Sequence, residues 1–161
     1  MLRAMRDLPA SIPPPALVLG LAGLIPFVAI PLLIAGDASI WLPTGLKALA
    51  TIPALTFYAA IILSFMGGAQ WGLAMRLSDL EPTADWRRYT ISVLPALIAW
   101  SALLVDARSA LSLMAAAFAV LLAYDLWTVK LGEAPRWYAS LRMLLTTVVV
   151  IMLTVTGAFL L

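Results

Sequence analysis

Few side chains in this sequence are equipped for chemistry, and the most suggestive of them border long apolar runs. Gln70 is the only glutamine and stands directly before Trp71. Asp125 is flanked by Tyr124 and Trp127, and Arg142 follows Pro135, Arg136, Trp137 and Tyr138. An ionisable side chain at the edge of hydrocarbon needs a partner or a route to water. Asp125 and Arg142 are therefore expected to pair, with Gln70 able to donate to the same carboxylate. With Trp71, Trp137 and Tyr138 they would form a polar pocket at the inner, cytoplasmic membrane face, able to hold a quinone head, a lipid head group or another small amphiphile. The competing reading is an aromatic and charged belt, in which Trp and Tyr rings rest at head-group level and arginine snorkels toward water. Belts are the general rule in helical membrane proteins, which favours that second reading. Trp41 and Trp100 are the corresponding anchors on the opposite side.

Other chemistries are closed off by residue type. The chain has no cysteine and no histidine. Thiolate or imidazole ligation of zinc, haem or iron–sulfur clusters by this chain alone is excluded, as are Ser-His and Cys-His nucleophilic sites. Asp79, Glu81 and Asp85 lie close together but read as a solvated turn balanced by Arg87 and Arg88. No phosphate-cradling glycine loop follows a strand, and the midplane charges of an ion pump are missing. No catalytic residue, metal site or cofactor is expected, and the chain reads as a non-enzyme.

Composition names the solvent for these groups. Of 161 residues, 64% are hydrophobic and 11% charged, with a mean hydropathy of +1.05. Soluble domains run at about 45–50% apolar and about 25% charged, so lipid suits this chain better than water. The net charge of +2 reads as charge bias in membrane loops, and no nucleic-acid partner is expected.

A spanning helix needs about 20 apolar residues to cross roughly 30 Å of hydrocarbon. Five runs are predicted to do so in a single all-α membrane domain over residues 1–161: 16–35, 49–69, 91–105, 110–129 and 141–161. The second is expected to continue helically to Met75, and the third is the shortest. Residues 76–90 form a polar inner loop, and Asp106–Ser109 joins the third and fourth spans as a tight hairpin. With the amino terminus in the cytoplasm, Arg3, Arg6, Arg76, Arg87, Arg88, Lys130, Arg136 and Arg142 fall inside and Lys47 and Arg108 outside. That is a positive-inside pattern, and five spans then put the carboxyl terminus outside. The first run is longer than the 7–15 apolar residues of a signal peptide, so it is read as a retained span.

Between helices in lipid, small residues supply close packing. On the second span Thr56, Ala60, Ser64, Gly68 and Gly72 recur every four residues, and Ala115, Ala119 and Ala123 do so on the fourth. The stripe suits either a homodimer seam or packing within the chain. Five helices must pack somewhere, which favours the latter and puts the second helix at the centre, with the fourth beside it. Pro26, Pro31, Pro53 and Pro95 are expected to kink or end their helices.

The run from Tyr58 to Gly72, YAAIILSFMGGAQWG, resembles a pattern of small integral membrane proteins from proteobacteria and mitochondria, domain-of-unknown-function family 3429. Ser92–Pro95 with Ala99–Trp100, and Pro135–Tyr138 with Leu141–Arg142 and Leu145–Thr146, extend the likeness in the same order. The resemblance implies a multi-spanning membrane protein with no established activity, and it supplies no catalytic residue. It points to a bacterial inner membrane, no mitochondrial presequence being evident. The expected role is an accessory, assembly or interaction subunit of a membrane complex, for instance a respiratory one, in contact with lipids and with other membrane proteins or itself. The alternative is a lipid, quinone or small-molecule carrier built on the pocket around Gln70, Trp71, Asp125, Trp137 and Arg142.

Overall fold

Proline, glycine and the ends of the apolar runs set the helix boundaries. The computed structural model describes residues 11–38, 40–78 and 86–161, and every regular element among them is helical. The helices are α1 (Pro14–Ala22), α2 (Ile25–Ala35), α3 (Ile52–Ser78), α4 (Trp86–Ala102), α5 (Ala107–Lys130) and α6 (Arg136–Phe159), with a short 3-10 turn at Thr44–Leu49 before α3.

The first apolar run is split at Gly23–Leu24. Pro26, in the first turn of α2, has no N–H to offer the Ala22 carbonyl, and its ring crowds that group. The break is held by Leu24 N–H donating to Leu21 O (3.0 Å) and Val28 N–H to Leu24 O (3.1 Å). Tyr58 Oη of α3 donates to the Gly23 carbonyl at 2.9 Å. A neighbouring side chain thus satisfies backbone that lipid could not. Pro53 lies in the first turn of α3, where no helical hydrogen bond is lost, so it neither kinks nor ends that helix. Pro31 and Pro95 lie inside α2 and α4.

Among the described residues, four segments are long and apolar enough to cross a membrane: Pro14–Ala35, Ile52–Leu77, Ala107–Lys130 and Arg136–Phe159. The third expected span is the exception. Its helix, α4, has 17 residues, about 25 Å at 1.5 Å each, and its first turn carries Arg87 and Arg88. It stops short of Val105 because Leu103 and Leu104 close the end with tightened bonds to Trp100 O and Ser101 O. Asp106 then opens α5, its side chain accepting from Ser109 N–H at 3.1 Å.

The expected inner loop is also shorter than 76–90, since Arg76–Ser78 finish α3 and Trp86–Thr90 begin α4. Asp79, Glu81, Pro82 and Asp85, like Arg3 and Arg6, lie outside the described residues.

The helices run up and down. α3 packs along α4 and α5 along α6, with α2 and α5 against α3 and α1 and α2 against α6. The shared core includes Phe27, Leu55, Leu63, Leu111, Met114, Phe118 and Leu153, with Phe27 edge-on to Tyr58 and to Phe118 at centroid distances of 5.1 and 6.1 Å. The expected small-residue stripe needs correcting at its lower half. Ala60 is buried, but a Cβ at Gly68 or Gly72 would meet nothing within 4 Å among the described residues outside its own helical turn. The close approach is made instead by Gly67, where a Cβ would stand 2.5 Å from Ser92 O and 3.3 Å from Pro95 Cβ. Successive residues on a helix point about 100° apart, so Gly67 faces α4 while Gly68 does not. On α5, Ala115 is buried and Ala119 and Ala123 are exposed.

Candidate functional site

Side chains four apart share a helix face. That spacing puts Met66 and Gln70 together on α3, and Tyr138, Arg142 and Thr146 together on α6. α5 brings Asp125 between these two faces. Gln70, Asp125 and Arg142 are 4%, 1% and 4% exposed. Asp125 Oδ1 accepts from Gln70 Nε2 and, at 3.4 Å, from Tyr138 Oη. Its Oδ2 accepts from Arg142 Nε. Three helices are joined by one carboxylate.

A buried ion is tolerated when it is paired and hydrogen-bonded on every side. The carboxylate meets that condition and the guanidinium does not. Arg142 Nη1 reaches only Met66 Sδ, at 2.8 Å, a weak acceptor. Arg142 Nη2 and Thr146 Oγ1 are buried with no hydrogen-bond partner.

The two tryptophans assigned to the cluster stand at its edges. Trp71 turns to α4, edge-on to Tyr89 at 5.0 Å between centroids, and is exposed. Trp137 packs edge-on to Tyr138 at 6.2 Å. With Gln70, Gly72, Arg76 and Tyr138 it lines an open crevice of about 280 Å³. Of the six expected residues, Gln70, Asp125, Tyr138 and Arg142 form the hydrogen-bonded group, Trp137 packs on its Tyr138, and Trp71 faces α4 instead.

A second set of ties lies just beyond. Gly132 adopts φ +77°, a left-handed conformation that glycine takes without the Cβ penalty. The turn after α5 is closed by Gly132 N–H to Val129 O and Glu133 N–H to Thr128 O, the pattern of a left-handed helix C-terminus. This aims Glu133 back at the bundle. Arg88 Nη2 meets Glu133 Oε1 at 2.5 Å, Arg76 Nη2 donates to Glu133 O at 3.1 Å, and the Arg87 guanidinium lies 4.5 Å above the Trp127 ring. Sequence reasoning assigned Arg87 and Arg88 to the acidic turn and missed Glu133, Met66 and Thr146. The four-residue spacing from Gln70 and Arg142 was the available signal for the last two.

Among the described residues no group of three acidic, histidine or cysteine side chains is placed to hold a metal ion. What the arrangement offers is hydrogen-bond donors in apolar surroundings.

Long apolar helices gathered around a buried polar knot define a multi-helix membrane protein. The chain belongs to the family described as Protein of unknown function (DUF3429), which matches residues 12–158, as the motifs implied. It is 40% identical over 152 residues to transmembrane protein 69 of Xenopus tropicalis, covering 92% of this chain and 54% of that protein. It is 33% identical over 149 residues to transmembrane protein 69 of Mus musculus, covering 89% and 56%. The chain thus spans about half the length of these relatives. No solved structure matches it.

Proposed function

We propose that this protein is a non-enzymatic, multi-pass accessory or assembly subunit that works by docking other membrane helices on the open glycine face of α3. One observation carries the reading: Gly68 and Gly72 are exposed, and among the described residues nothing beyond their own turns of helix comes within 4 Å of where a Cβ would stand. In lipid, helix association relies on small residues that let backbones approach, and these two are not used for that purpose inside the chain. The polar residues one turn away on that face are Ser64, whose hydroxyl donates to Ala60 O, and Arg76, which donates to Glu133 O. The face therefore offers close packing and no reactive chemistry.

The chain has no cysteine, so single-cysteine variants can be cross-linked in native membranes without background. Gly68→Cys and Gly72→Cys should each give one discrete adduct, with a second copy or with another protein. Val120→Cys on α5 and Ile151→Cys on α6, exposed positions away from that face, should give none. Equal, diffuse or absent cross-linking at all four sites would rule the docking face out.

The same proposal takes α4 as a fifth, short crossing in a bacterial inner membrane, with the amino terminus in the cytoplasm and the carboxyl terminus outside. Charge supports it. The up-and-down order sets Arg76, Arg87, Arg88, Lys130, Arg136 and Arg142 toward one end of the bundle and Lys47 and Arg108 toward the other, the distribution expected of positive-inside loops. Membrane-impermeant thiol reagents added to whole cells should label Lys47→Cys and Arg108→Cys and spare Lys130→Cys. Labelling of Lys130→Cys alone would reverse the orientation.

A further inference from the structure

We infer that the crevice behind Arg142 is a binding site for a neutral, carbonyl-bearing amphiphile that enters from the lipid. The inference is independent of the glycine face. The crevice, about 120 Å³, lies between α1–α2, α3, α5 and α6 and is lined by Phe27, Met66, Phe118, Arg142, Thr146 and Val149. All but two of these are apolar or, for Met66, only weakly polar. The two are Arg142 and Thr146, each more than nine-tenths buried, and Arg142 Nη2 and Thr146 Oγ1 have no partner.

Such orphaned donors are unusual. Hydroxyls within apolar helices commonly bond back to the carbonyl one turn earlier, as Thr56, Ser64 and Thr156 do here at 2.7–2.8 Å. Thr146 makes no such bond. A buried donor without an acceptor carries the desolvation cost of that group, which an arriving oxygen would relieve at both positions together.

Charge selects the head group. Asp125 already supplies the negative charge that neutralises Arg142, so an anionic head would bring a second, unpaired charge into a low-dielectric site. A neutral acceptor adds hydrogen bonds without that cost, and a carbonyl oxygen accepts two. Size limits it further. At about 120 Å³ the crevice is smaller than the ~150 Å³ cavity that holds a benzene ring, so it takes at most one ring or the ester end of an acyl chain. The mouth sets the rest. Leu19 and Phe65 line its rim and are exposed, so a ligand's apolar tail can remain in the bilayer. Quinones and acylglycerols share these features.

The full chain, purified in dodecyl maltoside (a detergent without a carbonyl), can be titrated with four probes while its thermal midpoint is followed. They are decyl-benzoquinone, monodecanoylglycerol, decylbenzene and decanoate. A ligand that binds the folded state raises the midpoint in a saturable way. At least one of the first two probes should do so, and decylbenzene and decanoate should not. Response to the quinone alone or to the glyceride alone identifies the source of the carbonyl. Thr146→Val, which keeps the side-chain shape and removes the hydroxyl, should weaken binding about three- to tenfold. Val149→Phe should abolish binding by filling the crevice. Leu19→Trp, at the exposed rim, should block it without touching the core, and so keeps the test valid if Val149→Phe misfolds. Decylbenzene matching the carbonyl probes would overturn the assignment. So would binding unchanged by both Thr146→Val and Leu19→Trp, or no response to any probe, which would leave the crevice to water.

Discussion

The two ends of this bundle are held by different physics. At the end where α3 finishes and α6 begins, polar contacts join elements far apart in sequence: Gln70 and Arg142 to Asp125, Arg88 and Arg76 to Glu133, and Arg87 to Trp127. At the opposite end the polar contacts among the described residues are local. Thr51 Oγ1 donates to Ala48 O at 2.8 Å, Ser101 Oγ to Ile98 O at 2.9 Å, and Asp106 caps Ser109 at 3.1 Å. The first end specifies which helices meet. The second only finishes helices that apolar packing has already placed.

Substitutions should divide along the same line. The largest effect belongs to Asp125→Leu, which leaves Arg142 buried and unpaired. Breaking a buried pair from one side costs about 3–5 kcal/mol, so chemical denaturation in detergent should show a large loss of stability or no folded protein at all. Gly132→Ala should come next, at about 1–2 kcal/mol, since an alanine is strained at that left-handed φ; the same titration measures it. Glu133→Gln removes the charge facing Arg88, and because that pair is only partly buried about 0.5–1 kcal/mol is expected.

The smallest effect should come from Asp106→Ala at the locally capped end. Hydrogen bonds from the Ser109 side chain and backbone hold the Asp106 carboxyl below the usual carboxylate range. A depressed folded value means that the stabilisation is present above the unfolded pKa of about 3.9 and fades as the pH falls through the folded one. The difference between wild type and Asp106→Ala in thermal scans should therefore be slight at pH 7 and vanish in strong acid. An Asp106 effect as large as that of Asp125 would erase the contrast between the ends.

Much of this was legible in the residues. Long apolar runs locate α3, α5 and α6 because length and hydrophobicity alone decide a spanning helix, and scarcity marks Gln70, Asp125 and Arg142 because lipid penalises each. The face of α3 that meets α4 was not legible. Gly67, Gly68 and Gly72 are the same residue, and only the neighbour's position tells the contact glycine from the open ones. The start of α4 was hidden for a related reason. Trp86–Thr90 reads as a polar loop until Glu133 and Trp127, distant in sequence, come beside it. Thr146 looked like one more helix hydroxyl, and its missing back-bond is a property of the fold.

A double-mutant cycle tests most directly whether the Asp125 knot is what ties α3, α5 and α6. Asp125→Leu, Arg142→Met and the combined variant are denatured under the same detergent conditions. The account predicts strong coupling: each single change is severely destabilising, and the double change recovers most of that loss, because two apolar side chains can replace a buried pair at little cost. It falls short of the native chain by the ~1–3 kcal/mol of leaving Gln70 buried without its acceptor. Effects that simply add, to within about 0.5 kcal/mol, would mean that the two residues act separately and that the knot does not tie these helices.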